Sequence, residues 1–267
     1  MLFLIRKNMK TYELSKQKNI RDLGGMVTKD GHHIRYGKII RGGALLNLTE
    51  EDQKVIDELH ITDIIDFRSS SEYLSLPTYK PSGVRAHNIP VLKQSTQEEA
   101  QKRINSEDGN LLWFLEDHTS GFEHLRKVYS EFVTTKEGTN AFKKFFEIVS
   151  QPDVVSYFHC SQGKDRTGFA AYLFEIALGV SEEDAMEDYL FSNVAMEKRA
   201  EALLRSVEYR PFYNEEYKQN LLDVFSTKRE YLQSSIDAMK ENYGSTIGFI
   251  EQALDVDVSS LRALYLE

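Results

Sequence analysis

One stretch, His159-Cys160-Ser161-Gln162-Gly163-Lys164-Asp165-Arg166-Thr167-Gly168, constrains this chain of 267 residues more than any other feature. The residues before it, Val154, Val155, Ser156, Tyr157 and Phe158, read as a short buried strand, and residues 167–178 are apolar almost throughout, as in a buried helix. Strand, glycine-containing turn and helix follow in that order. Backbone N–H groups of residues 161–166 can then converge on one point, where the helix N-terminus adds its partial positive charge. That point is an anion site. At its base lies Cys160, the only cysteine, where the loop dipoles and Arg166 favour a thiolate nucleophile. Arg166 carries a planar fork that matches two oxygens of a tetrahedral anion.

Two ordinary readings compete. A lone cysteine after an apolar strand is usually an inert buried thiol, but here the arginine, the glycines and the helix all fall where anion chemistry requires them. Gly163-Lys164 invites a nucleotide P-loop, which needs a glycine five positions earlier and Ser or Thr after the lysine. Phe158 and Asp165 stand there instead.

The loop resembles the Cys-x5-Arg signature of the protein tyrosine phosphatase superfamily. Its Lys164 and Asp165 resemble the bacterial tyrosine phosphatase-like branch, whose loop reads H-C-x-x-G-K-D-R-T-G. Asn19-Ile20-Arg21-Asp22-Leu23-Gly24-Gly25, Ile40-Arg41-Gly42-Gly43-Ala44-Leu45 and Asp66-Phe67-Arg68-Ser69-Ser70-Ser71-Glu72 are similar to that family's N-terminal and first-core-strand motifs. Tyr243-Gly244-Ser245 followed by Ile250 also fits, so the resemblance runs from about residue 19 to the end. It implies a phosphoric monoester hydrolase with a cysteinyl-phosphate intermediate and no metal or other cofactor. The implied substrates are phosphoproteins, for a tyrosine or dual-specificity phosphatase, with phosphoinositides as the alternative.

The resemblance also distributes roles. Cys160 is the nucleophile, and Arg166 with Ser161, Gln162, Gly163 and Lys164 binds the phosphoryl group. Thr167 matches the hydroxyl that hydrogen-bonds the sulfur, and His159 shapes the loop. The Lys164 ammonium is expected to reach a second anionic group on the substrate. Many relatives carry an acidic aspartate on a separate upstream loop, but residues 118–152 contain none. Asp165, inside the loop, takes the general-acid role with Asp117 in reserve; the competing reading is that Asp165 merely pairs with Lys164 or Arg166. Asp66, Arg68, Glu72, Arg21 and Asp22 read as ion pairs that brace turns. Outside this enzyme class stand a phosphate-recognition module without turnover and a sulfur-transfer enzyme. Retention of both Cys160 and Arg166 disfavours the first, and the Arg166-Thr167 pair with the helix-rich C-terminal third disfavours the second.

The rest of the chain reads as α/β, a mostly parallel central sheet flanked by helices, with a helix-rich C-terminal third. Candidate strands are 34–41, 61–67, 84–89 and 154–159, and candidate helices 49–59 and 123–149. Gly179 closes the helix after the loop, and Ser181-Glu182-Glu183-Asp184 opens another. Leu221, Phe225, Leu232, Ile236, Met239 and Tyr243 repeat at helical spacing, which predicts one long amphipathic helix over 214–243. Residues 93–110 read as a mobile loop or loose helix, and Leu111-Leu112-Trp113-Phe114-Leu115 as core packing or part of a lid over 93–115. The expectation is one domain over 1–267, with 1–18 as an N-terminal extension.

The single cysteine excludes an internal disulfide and a cysteine-rich metal site. Residues 1–5 are apolar but too short for a signal sequence or membrane span, which points to the cytoplasm. A formal charge of −9, from 33 basic and 42 acidic residues, argues against non-specific nucleic-acid binding. Local loop dipoles still attract an anionic substrate. Nothing in the pattern sets the oligomeric state.

Overall fold

The computed structural model describes residues 9–15, 17, 19–92, 120–209 and 214–267; Asp117 and the expected lid over 93–115 lie outside them. Its axis is β6 (Ser156–Cys160), whose successive side chains point to opposite faces as a strand requires. Phe158 and Cys160 join a large core with Phe67, Phe142, Phe145 and Phe169. Tyr157 faces the other way, into a smaller core with Ile20, Ile40, Ile56 and Ile64. Cys160 therefore ends a strand that is buried on both faces.

Around β6 stand β1 (Thr11–Tyr12), β2 (Ile20–Asp22), β3 (Ile39–Gly43), β4 (Asp63–Asp66) and β5 (Arg85–Asn88), in the sheet order β1-β2-β3-β6-β4-β5. β3, β6, β4 and β5 are parallel, with Ile40 and Ile64 on either side of Tyr157. β2 runs antiparallel to β3, and β1 to β2. The isoleucine pairs Ile39-Ile40 and Ile64-Ile65 send one side chain into each core, which explains why these strands read as continuous apolar runs. β3 is shorter than the expected 34–41, because Gly37 turns the chain at φ 71° before Ile39.

Helix α1 (Glu50–Asp57) opens on a Thr49 capping box, and α2 (Ser70–Ser75) on a Ser69 box with Glu72. The expected helix over 123–149 is two, α3 (Gly121–Thr134) and α4 (Lys136–Val149). Thr135 is extended at the junction and its hydroxyl accepts from the Gly138 N–H, so a side chain caps the new helix where two β-branched threonines meet. After the loop, α5 (Arg166–Leu178) is buried from Thr167 to Leu178 and ends at Gly179, φ 92°. It is followed by α6 (Glu182–Val207).

The single helix expected over 214–243 is likewise two, α7 (Glu215–Phe225) and α8 (Arg229–Tyr243). Asn193 of α6 makes the break: its side chain donates to Thr227 O at 2.8 Å and accepts from Thr227 N at 2.7 Å, pairing the interrupted backbone. Then come α9 (Thr246–Gln252) and α10 (Val258–Tyr265). Among the described residues no helix is long and apolar enough to cross a membrane.

Candidate active site

The loop between Cys160 and Arg166 is held by its carbonyls. Ala44 N donates to Ser161 O at 3.2 Å, and Asn19 Nδ2 donates to Gln162 O and Gly163 O at 3.1 Å each. Arg41 Nη2 donates to Gly163 O, also at 3.1 Å. By contrast, among the described residues no backbone N–H from Ser161 to Arg166 donates to a protein acceptor. Carbonyls tied to the surrounding strands and N–H groups left unspent define an anion cradle, and α5 begins at its rim. Gly163 makes the turn possible twice over. Its φ is 71°, and a Cβ there would collide with the backbone of Gly42 at the end of β3.

Arg166 is oriented by Glu72 of α2. Its Nη1 lies 3.1 Å from Glu72 Oε2, its Nη2 lies 3.4 Å from Oε1, and Nη2 also donates to Ser161 Oγ at 3.2 Å. Glu72 in turn accepts from Ser161 Oγ at 2.7 Å and from Ser69 N at 2.9 Å. Burial pushes the Glu72 carboxyl up, but the Arg166 charge and these hydrogen bonds outweigh it and hold the group below the usual carboxylate range. Burial likewise works against the Arg166 cation, and the charges of Glu72 and of a Cys160 thiolate more than offset it. The guanidinium is thus charged, braced from behind and adjacent to the sulfur.

Glu72→Gln keeps the shape of this brace and removes its charge. Because misplacing a group that contacts the reacting centre can cost about 10²-fold, we expect a loss of that order in kcat/KM on p-nitrophenyl phosphate. A glutamine variant with parental kinetics would show that Arg166 needs no partner.

His159 and Thr167 flank the loop differently from each other. Buried His159 donates from Nδ1 to Cys160 O at 3.1 Å, and its Nε2 lies 3.6 Å from Asp66 Oδ2. Burial depresses its basicity, so it stays neutral and fixes the start of the loop. Thr167 Oγ1 is buried with no hydrogen-bond partner among the described residues, so the expected bond to the Cys160 sulfur is not formed. Adjacency to the arginine in sequence does not set the direction of a hydroxyl on a buried helical turn.

Lys164 departs further from expectation. Only 3 % exposed, it sends its ammonium away from the cradle, donating to Val224 O at 2.8 Å and Ser226 O at 3.4 Å where α7 ends. Carbonyls at a helix C-terminus attract a cation, and the long stem reaches them. Lys164 also pairs with Asp165 at 3.1 Å, the competing reading given above for that carboxylate. Asp165 accepts as well from Tyr129 OH at 2.9 Å, and a quarter of its side chain remains exposed.

Behind the loop lies a second charged layer. Asp188 of α6 binds Arg21 Nε at 2.6 Å and also Arg41 Nη1, all three side chains being essentially inaccessible. Asp22 accepts from the N–H groups of Gly24 and Gly37, and Asp66 pairs with Arg68 at 2.6 Å. The Asp66–Arg68 pair braces its turn as expected, whereas Asp22 holds its turns through backbone N–H groups and Arg21 pairs across to α6. Glu72 does more, because it touches Arg166 and Ser161. Its position in a Ser-x-x-Glu capping box conceals that second task. Asn19, Arg41 and Tyr129 were also missed as contacts of the loop; the first two sit in the N-terminal motifs, and nothing local marks Tyr129. Among the described residues no group of three or more His, Cys, Asp or Glu is arranged to hold a metal ion.

Comparison with known proteins places this arrangement. A protein of Cupriavidus necator, provisionally named a tyrosine-protein phosphatase, is 28% identical over 256 residues, covering 93% of this chain and 85% of that one. The triple specificity protein phosphatase PtpB of Mycobacterium tuberculosis is 27% identical over 267 residues, covering 92% of this chain and 94% of its own. Among solved structures, P. aeruginosa TpbA aligns over 87% of this chain and 88% of that one, at 12% identity and a TM-score of 0.31, too loose a likeness to carry an argument. The tyrosine phosphatase family model matches residues 12–267, nearly the whole chain, and this protein accordingly belongs to that family of cysteine-dependent phosphatases.

Proposed function

We propose that the protein hydrolyses phosphate monoesters of proteins, phosphotyrosine foremost, through a cysteinyl-phosphate intermediate. The observation that carries this reading is the loop itself, with carbonyls tied outward, N–H groups unspent and a charged Arg166 braced by Glu72 beside Cys160. A phosphoryl group seated there has its equatorial oxygens met by loop N–H groups and the guanidinium fork. The Cys160 thiolate attacks phosphorus, forming the S–P bond while the P–O bond to the leaving group breaks. The bonding pair goes to the leaving oxygen, which takes a proton from the Asp165 carboxyl group. Water then attacks phosphorus, gives its proton to the Asp165 carboxylate and releases inorganic phosphate, restoring the thiolate.

Asp165→Asn tests the proton-donor role. General acid catalysis contributes about 10²–10⁴-fold where the leaving group is poor. We expect a loss in that range on phosphotyrosine peptides and phenyl phosphate, and a much smaller one on p-nitrophenyl phosphate, whose phenolate leaves without a proton. An equal fall on all three in kcat/KM, which does not include hydrolysis of the intermediate, would give Asp165 a structural role only.

Substrate breadth is proposed from the relative named for triple specificity. A panel of phosphotyrosine, phosphoserine and phosphothreonine peptides with phosphoinositides decides it. The phosphoinositide alternative has lost its argument from Lys164, because that ammonium is occupied by Val224 O, Ser226 O and Asp165.

A further inference from the structure

Asp165 stands at the N-cap of α5, a position where an aspartate ordinarily accepts a hydrogen bond from its own helix, yet its side chain makes no such bond. Its carboxylate is diverted sideways. Tyr129 OH, from α3, donates to Oδ1 at 2.9 Å, and the same hydroxyl lies 2.8 Å from Tyr189 OH of α6. Both tyrosines are fully buried, in a site where a polar group without a partner is costly. The Tyr129 ring is clamped between Phe132, Tyr189 and Tyr231, with centroids 5.0, 6.1 and 5.9 Å away, and Ser235 Oγ donates to its carbonyl at 2.6 Å. Tyr129 is thus a rigid donor from outside the catalytic loop, aimed at one oxygen of the one loop carboxylate.

We infer that Tyr129 is a positioning residue for proton transfer: its hydroxyl holds Asp165 off the helix cap and steadies the carboxylate that forms when the leaving group takes the proton. The inference rests on the proposed role of Asp165. Burial first, and the Asp165 charge next, push the Tyr129 hydroxyl well above its ordinary range, so it remains a donor throughout. Lys164 reinforces the same geometry from the other side. It contacts Oδ1 and Oδ2 alike, at 3.1 Å, whereas Tyr129 engages Oδ1 alone. Tyr129 therefore fixes the rotation of the carboxylate, and Lys164 supplies charge.

Tyr129→Phe removes the hydroxyl and keeps the clamped ring. The measurement is kcat/KM across aryl phosphates of graded leaving-group acidity, with the inhibition constant of inorganic phosphate as an independent readout of the cradle. We expect about a tenfold loss on phenyl phosphate and phosphotyrosine, little change on p-nitrophenyl phosphate and an unchanged phosphate constant. The double variant with Asp165→Asn should be no slower than Asp165→Asn alone, since a residue acting through another adds nothing once that one is gone. A uniform loss across leaving groups, a weakened phosphate constant or additive losses in the double variant would overturn the inference and leave Asp165 as the donor. If Asp165→Asn itself slows all substrates equally, the donor reading fails, and the role of Tyr129 fails with it.

Discussion

Cys160→Ser is expected to abolish turnover, by a factor on the order of 10⁴ or more, as for nucleophile removal in other covalent mechanisms. The cradle should survive the change: its shape depends on Asn19, Arg41 and Ala44 holding loop carbonyls, and on Gly163, and none of these bonds runs through the sulfur. What is lost is the anionic nucleophile. A serine alkoxide would need a general base, and His159, the nearest imidazole in sequence, has its basicity depressed by burial and turns Nδ1 to the Cys160 carbonyl. The serine variant should therefore still bind inorganic phosphate by calorimetry but yield no acid-stable phosphoprotein after rapid quenching with labelled substrate. Turnover within a hundredfold of the parent, or labelled serine in the quench, would remove the sulfur from the chemistry.

The loop was legible because its parts are contiguous. Cysteine, turn glycine, arginine and helix start lie within residues 160–168, and each carries its physical reason locally: φ 71° at Gly163, a planar fork at Arg166, a wholly buried helix from Thr167. What orients these parts is remote in sequence. Glu72 lies 94 residues from Arg166, Arg41 lies 122 from Gly163, and Tyr129 lies 36 from Asp165. The sheet order β3-β6-β4 brings the first two together, and no single-sequence period encodes which remote side chain will meet the loop.

The misplaced helix boundaries have a related cause. Phe225 and Leu232 are seven residues apart, two helical turns, so an apolar stripe continues in phase across a break that Asn193 imposes from another helix. Lys164 shows the limit for side chains: a flexible cation four residues past Cys160 could point either way, and the end of α7, some 60 residues on, decided it. The antiparallel edge escaped because strands of two and three residues are too short to alternate.

Asp188→Asn should be the most destabilising conservative substitution in the scaffold behind the site. Asp188 is the shared counter-ion of Arg21 and Arg41, and both guanidiniums are buried to within 1 %. Removing the charge leaves two buried cations, and breaking a buried pair in this way costs about 3–5 kcal/mol. Glu175 is the carboxyl beside them that can respond. Burial, then the Asp188 charge, pushes its carboxyl well above the usual range in the parent, and loss of that charge favours its ionisation against the arginines, which moves the cost toward the lower end. The effect has a defined pH dependence. Burial pushes the Asp188 carboxyl up, but Arg21 and Arg41 outweigh it and hold the group at about 2. A carboxylate depressed in the folded state stabilises the fold above its unfolded value of about 3.9, and that contribution fades as the pH falls toward 2. Urea denaturation should therefore show the full deficit at pH 7, with a melting temperature lower by roughly 10 °C, and a narrower gap near pH 3. Because Arg41 also holds Gly163 O, kcat/KM should fall with stability even where the variant is fully folded. A variant as stable as the parent at pH 7, or a deficit indifferent to pH, would mean that the two arginines do not depend on Asp188 for their charge compensation.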